Sequence, residues 1–349
     1  MKLLGLVPAL ALLLFFCRCA SAAPFQATPL IDFSPDEKYL GAFLGLLYDN
    51  SNTLATSDPH GRDGLAFASR VQPLNSRGQP DARGRIVVVG IGQSVWTMDL
   101  CTRVTKSETT LPACTAASFI AHADPVDNPK VRIVDCASGG QVATLWVNNS
   151  FGNWSRCDGL LANEGVTPEQ VQVILWHDVN DLGATVSLDP NTTCSTLMTF
   201  DGSTPDACSY IHHTAEVVRF GKTWFPHIQQ MFLNSAGYNG YASGHEPFSY
   251  ENGFAVKWLI KAQMDQIASG GTIKNLAAGD LSYAVAPWLA WGDYVWASGS
   301  TPRSDGLTWL PSDYLSDLIH PSQAGVLKST NLMMDYYFTT SPYTPWIRK

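Results

Sequence analysis

Three stretches of this chain are almost continuously apolar and rich in β-branched residues: Arg85-Ile86-Val87-Val88-Val89-Gly90, Val131-Arg132-Ile133-Val134-Asp135-Cys136 and Val171-Gln172-Val173-Ile174-Leu175-Trp176. Short runs without polar alternation predict strands covered on both faces, as in a central parallel sheet. A fourth candidate, Ile228-Gln229-Gln230-Met231-Phe232-Leu233, is broken by its two glutamines. Elsewhere the apolar positions return at helical spacing. One helix is predicted from Tyr210 to Lys222. A second runs from about Asn252 to Ile267, where Lys257, Lys261 and Asp265 lie opposite Phe254, Trp258, Leu259, Ile260 and Met264. A third should start near Ser322, an N-cap just beyond Pro321, and reach about Tyr337. Alternating strands and helices predict an α/β fold: a parallel sheet, right-handed crossovers, and helices on both faces.

No repeat, low-complexity tract or Pro/Ser linker divides the chain. The pattern therefore reads as one domain over residues 23–349, with a Gly-, Pro-, Asp- and Asn-rich surface extension (about 23–83) and an aromatic-rich insertion (about 234–312). Residues 1–22 have the form of a secretory signal: Lys2, an apolar stretch from Leu3 to Phe16, then Ala20-Ser21-Ala22. That stretch is short for a membrane span. The expected product is secreted, extracellular or periplasmic, with no membrane association after cleavage.

The formal net charge is −8, and losing Lys2 and Arg18 with the leader makes the remainder more acidic. Such a chain, without a basic run, argues against nucleic acid and anionic membranes as partners. Beyond the leader the cysteines are Cys101, Cys114, Cys136, Cys157, Cys194 and Cys208. An even count in an exported chain predicts disulfides, whose connectivity spacing alone leaves open. Neighbour pairing (Cys101–Cys114, Cys136–Cys157, Cys194–Cys208) is favoured because each bond would staple one loop-rich excursion. Asn-x-Ser/Thr sequons stand at Asn148, Asn153 and Asn191.

In open parallel sheets the site lies at the carboxyl ends of the strands. The first strand ends in Ile91-Gly92-Gln93-Ser94, the second in Ala137-Ser138-Gly139-Gly140, and the third in His177-Asp178-Val179-Asn180-Asp181. Near the C-terminus stands Asp317-Leu318-Ile319-His320. A serine hydroxyl needs a neighbouring base to become a nucleophile. His320 is a candidate for that base, with Asp317 to fix its tautomer.

The order Ser, Gly, Asn and then Asp-x-x-His, each on a loop after a strand, resembles the SGNH/GDSL hydrolase superfamily. The resemblance implies a three-layer α/β/α, flavodoxin-like fold with a central parallel sheet and loop insertions. It implies a catalytic Ser94, Asp317 and His320. It also implies an oxyanion hole from the Ser94 N–H, one N–H of the Gly139-Gly140 pair (Gly140 is chosen) and the Asn180 amide. The first block departs from Gly-Asp-Ser. Gly92-Gln93-Ser94 resembles the Gly-Gln-Ser-Asn loop of the sialate O-acetylesterase and acetylxylan-esterase branch, with Val95 for its Asn. In the third block Asp178 stands where Gly is usual. Glu246-Pro247-x-x-Tyr250-Glu251 and the stretch Pro302 to Trp309 resemble a little-characterised secreted branch.

These features lead to an expected serine esterase acting on short acyl esters, acetyl foremost, of a small molecule or glycan. A sugar O-acyltransferase using the same residues, and an inactive glycan-binding protein, are the alternatives. Gln93, His177 and Trp291 are the expected substrate contacts, Trp291 because it lies in a segment dense in Trp and Tyr. No cofactor and no metal are expected: His212-His213 and His245-Glu246 lack a third ligand at a telling interval.

Overall fold

Five parallel strands form one sheet: β1 (Ile86–Gly92), β2 (Val131–Asp135), β3 (Val171–Asp178), β4 (Gln230–Ser235) and β5 (Trp288–Trp291). Their order across the sheet is β2-β1-β3-β4-β5, the flavodoxin-like doubly wound order. The structure, a computed structural model, describes residues 25–101, 114–180, 183–196, 202–235, 241 and 244–349. The leader and Asp181 lie outside the described residues. Every residue of β1, β3, β4 and β5 is buried. Their nearly unbroken apolar sequence has that cause: both faces are covered.

Helices cover the two faces alternately. Along β1, Val87, Val89 and Ile91 point into one core with α4 (Asn153–Asn163), α5 (Asp206–Trp224) and α6 (Phe248–Ala268). Ile86 and Val88 point into the other, with α1 (Pro59–Arg70), α2 (Ser94–Cys101), α3 (Phe119–Ala123) and α7 (Gln323–Met334). The period-two alternation of a strand thus produces the three layers. Ser322 caps α7 as expected, its Oγ accepting from the Gly325 N–H. The three disulfides join Cys101 to Cys114, Cys136 to Cys157, and Cys194 to Cys208. They fit folding in an oxidising compartment. Among the described residues no helix is long and apolar enough to cross a membrane.

Two segments contribute more than their composition predicts. The expected surface extension contains α1, and its Leu30, Phe33, Leu46 and Leu47 enter the core. The expected insertion supplies α6 and the edge strand β5. Gly64 accounts for how closely α1 approaches that strand. A Cβ there would lie 2.3 Å from Cζ2 of Trp288, so the helix comes near only where the side chain is absent.

Candidate active site

β1 delivers the serine. Gly92 pairs with His177 across the β1–β3 ladder, and a Cβ on it would stand 2.0 Å from the His177 carbonyl oxygen. Only glycine lets β1 run this close to β3 as it turns into α2. Gln93 then starts the helix, its carbonyl accepting from the Thr97 N–H at 3.1 Å. Ser94 is the first residue of α2, so its N–H is among the amides that a helix start leaves without intrahelical partners.

The other loops are fastened to this one by backbone hydrogen bonds. Ser138 N–H donates to the Gly92 carbonyl at 3.0 Å, and Ala143 N–H to the Val179 carbonyl at 2.9 Å. A small apolar cluster repeats the connection with side chains: Val95, Val142 and Val179, one from each loop, with Ile319 and Leu145 packed against them. Ile319 lies within Asp317-Leu318-Ile319-His320. One patch of methyl groups therefore holds all four sequence blocks together.

At that point the side chains meet. Ser94 Oγ lies 2.8 Å from His320 Nε2, and His320 Nδ1 lies 2.7 Å from Asp317 Oδ2. The second carboxylate oxygen of Asp317 accepts the backbone N–H groups of Ile319 and His320, both at 3.0 Å. Leu318 makes this possible by taking φ of +57°, a conformation that bulky residues rarely adopt. Its side chain packs against Tyr241, Ala297, Trp309 and Tyr314. Burial pushes the Asp317 carboxyl up, but His320 and the two amides more than offset it, so its pKa lies below the ordinary range. The carboxylate stays ionised and requires the His320 tautomer with hydrogen on Nδ1. Nε2 is then left to accept the serine proton.

Gly139, chosen less readily than Gly140 from sequence, is the glycine that faces the serine. A Cβ on Gly139 would be 3.8 Å from Ser94 Cβ, whereas one on Gly140 would meet nothing within 4 Å. Asn180 is buried, and its amide is oriented by two groups on α5. Nδ2 donates to Asp206 Oδ1 at 2.7 Å, and His213 Nδ1 donates to Oδ1 at 2.7 Å. Each Nδ2 carries two hydrogens, so the second is left for another acceptor. Asn180, Thr144, Thr204, Asp206, Ser209 and His213 line a cleft of about 350 Å³.

The three expected substrate contacts are all buried. His177 is wholly buried, with its ring 4.8 Å from that of Trp96. Burial pushes its pKa down to about 3, so it is neutral throughout the working range. Gln93 is 1% exposed and shapes the serine loop from beneath. Trp291 belongs to the core: its indole N–H donates to the Leu47 carbonyl at 2.8 Å, and its ring abuts Tyr294. Arg303 is likewise structural, donating to the Tyr294 and Trp296 carbonyls and pairing with Asp305.

Sequence reasoning missed Asp206, and took His213 only as a fragment of a metal site, not as a partner of Asn180. It also missed Glu216, one helical turn after His212, which brings a ligand atom within 4.8 Å of those of His212 and His213. Both imidazoles already have structural partners, the Ala277 carbonyl and Asn180. A spacing of four from His212 was the signal available.

No family model matches the chain, and no curated protein does. Among solved structures, a protein from Arabidopsis thaliana is similar at 14% identity and a TM-score of 0.35, over 74% of this chain and 100% of that one. A Bacillus subtilis protein is similar at 12% identity and a TM-score of 0.33, over 74% and 57%. Neither likeness carries weight in assigning the site.

Proposed function

We propose that the protein is a secreted serine esterase of the SGNH type, removing short acyl groups, acetyl foremost, from carbohydrate or small-molecule esters. The reading rests on one observation: the continuous hydrogen-bonded chain from Ser94 Oγ through His320 to Asp317, at 2.8 and 2.7 Å. His320 takes the serine proton as Oγ attacks the ester carbonyl carbon. The tetrahedral oxyanion is met by the N–H of Ser94, one N–H of the Gly139-Gly140 pair and the remaining Nδ2 hydrogen of Asn180. Collapse breaks the C–O bond, and His320 returns its proton to the departing alcohol. Water, deprotonated by the same imidazole, then cleaves the acyl-Ser94 ester.

Two further features support this reading. The side chains of His320 and Asp317 are 32% and 44% exposed, so water can reach the base, as the hydrolytic step requires. The cleft that Asn180 lines, with Thr144, Thr204, Asp206, Ser209 and His213 in its walls, has the hydrogen-bonding groups to receive the polar alcohol of the ester. Hydrolysis of p-nitrophenyl acetate by wild type and by Ser94→Ala is the test. The variant should fall to background; equal rates would remove Ser94 from the mechanism. A fluorophosphonate probe that leaves folded wild type unlabelled would instead favour an inactive binding protein.

A further inference from the structure

Two of the three sequons, at Asn153 and Asn191, are treated unequally by the fold. Asn153 opens α4 with 4% exposure. Its amide donates to Gln141 Oε1 at 2.8 Å and to the Leu145 carbonyl at 3.0 Å. A sugar on that nitrogen would expel the side chain and leave both acceptors without their donor. Asn191 is exposed, on a turn braced by its own neighbours. Its backbone N–H donates to Asp189 Oδ1 at 2.7 Å, the Thr192 N–H to the Asp189 carbonyl at 2.9 Å, and the Thr192 hydroxyl to Asp189 Oδ2 at 3.2 Å. None of these bonds uses the Asn191 side-chain amide. The Cys194–Cys208 disulfide fastens the turn to α5.

Beside this turn lies a groove of about 300 Å³. Thr192 and Thr193, the last two residues of the sequon, line it. So do the rings of Phe43 and Trp258 and the polar groups of Lys274 and Asn275. Aromatic rings suit the C–H face of a pyranose, and the amide and amine can hydrogen-bond its hydroxyl and acetamido groups.

We propose that Asn191 is an N-glycan acceptor in the folded, secreted protein, that Asn153 is not, and that the first N-acetylhexosamine lies in the Phe43–Trp258 groove. The donor is a lipid-diphosphate-linked oligosaccharide. Asn191 Nδ2 forms the C–N bond at its anomeric carbon, the C–O bond to diphosphate breaks, and lipid diphosphate leaves. The amide proton passes to the base of the transferring enzyme. Modification meets the nascent chain, so Asn153 is also reachable then. Molecules modified at Asn153 cannot form the Gln141 and Leu145 contacts and are lost before secretion. The inference is independent of the esterase reading.

The test uses the full chain secreted from a cultured eukaryotic cell. Glycans are released enzymatically in ¹⁸O-water, and the labelled peptides are mapped by mass spectrometry. The label is expected at Asn191 and absent at Asn153. A bare Asn191, or label at Asn153 in folded material, would overturn the assignment. The groove is tested separately by the rate at which an endoglycosidase trims the native protein. Trp258→Ala and Phe43→Ala should each raise that rate about fivefold, the scale of one lost aromatic contact, with occupancy of Asn191 unchanged. Unchanged rates in folded samples of both variants would remove the groove from the proposal.

Discussion

Asn180 shows how much of a site can depend on residues that never touch the reacting atoms. A carboxamide flips end for end at little cost unless its neighbours distinguish oxygen from nitrogen. Here Asp206 can only accept and the His213 Nδ1–H can only donate, so the nitrogen end faces one way. Removing an oxyanion donor costs on the order of 10²–10³ in kcat, and Asn180→Ala should fall in that range with KM nearly unchanged. Asp206→Ala should lose part of that factor, because the amide is present but free to turn. Steady-state kinetics on both variants check this; an Asp206→Ala enzyme with wild-type kcat would end the orienting role. The hydrogen-bonded grouping of Ser94, His320 and Asp317 was legible in sequence because each sits in a short local pattern. Asp206 and His213 were not, since they reach Asn180 from 26 and 33 residues away, and no local spacing marks such a contact.

Among the elements, the turn bearing Asp317 and His320 lies outside the sheet and is closed by an isolated antiparallel bridge between Tyr314 and Pro321, with the Leu315 N–H donating to the His320 carbonyl at 2.8 Å. It relies on Ile319 against Val95, Val142 and Val179, and on Leu318 against a second aromatic cluster. Ile319 is half-buried, so truncation to alanine should cost less than the roughly 2–5 kcal/mol of a fully buried site. We expect Ile319→Ala to lower kcat by at least about tenfold, equivalent to about 1.4 kcal/mol at the transition state, with little change in thermal midpoint. Calorimetry beside initial rates separates the two; parallel losses would mean that Ile319 only stabilises the fold. The strands β1, β2 and β3 were readable because complete or nearly complete burial leaves an apolar signature. β5 was not, because its four residues are half tryptophan and lie among other aromatics. α1 was hidden by Gly61 and Gly64, which read as loop punctuation although Gly64 is what admits Trp288.

For the molecule as a whole, buried acids make stability depend on pH. Burial pushes Asp293 up to about 8 and Glu251 up to about 7. Burial, then the neighbouring charge of Asp293, also raises Asp99 on α2. An acid with a native pKa above its unfolded value binds its proton more tightly when folded. Its contribution is complete below about pH 4, near the unfolded pKa, and is lost as pH rises through the native value. The thermal midpoint should therefore fall between about pH 5 and pH 8. Asp293→Asn should flatten that fall, because the amide imitates the protonated acid without titrating. Melting curves across that range decide; an unaltered slope would show that Asp293 does not carry the effect.

Contacts between the two ends of the chain have a consequence for its biosynthesis. The indole N–H of Trp288 donates to the His60 carbonyl, that of Trp291 to the Leu47 carbonyl, and the Tyr343 hydroxyl to the Leu54 carbonyl. Residues 47–60 therefore find these partners only after residues 288–343 have been made. Until then Leu30, Phe33 and Leu47 must travel uncovered, and premature association with other nascent chains is the hazard they run. A chaperone that grips this leading stretch during translocation would serve the protein better than one that waits for its finished form.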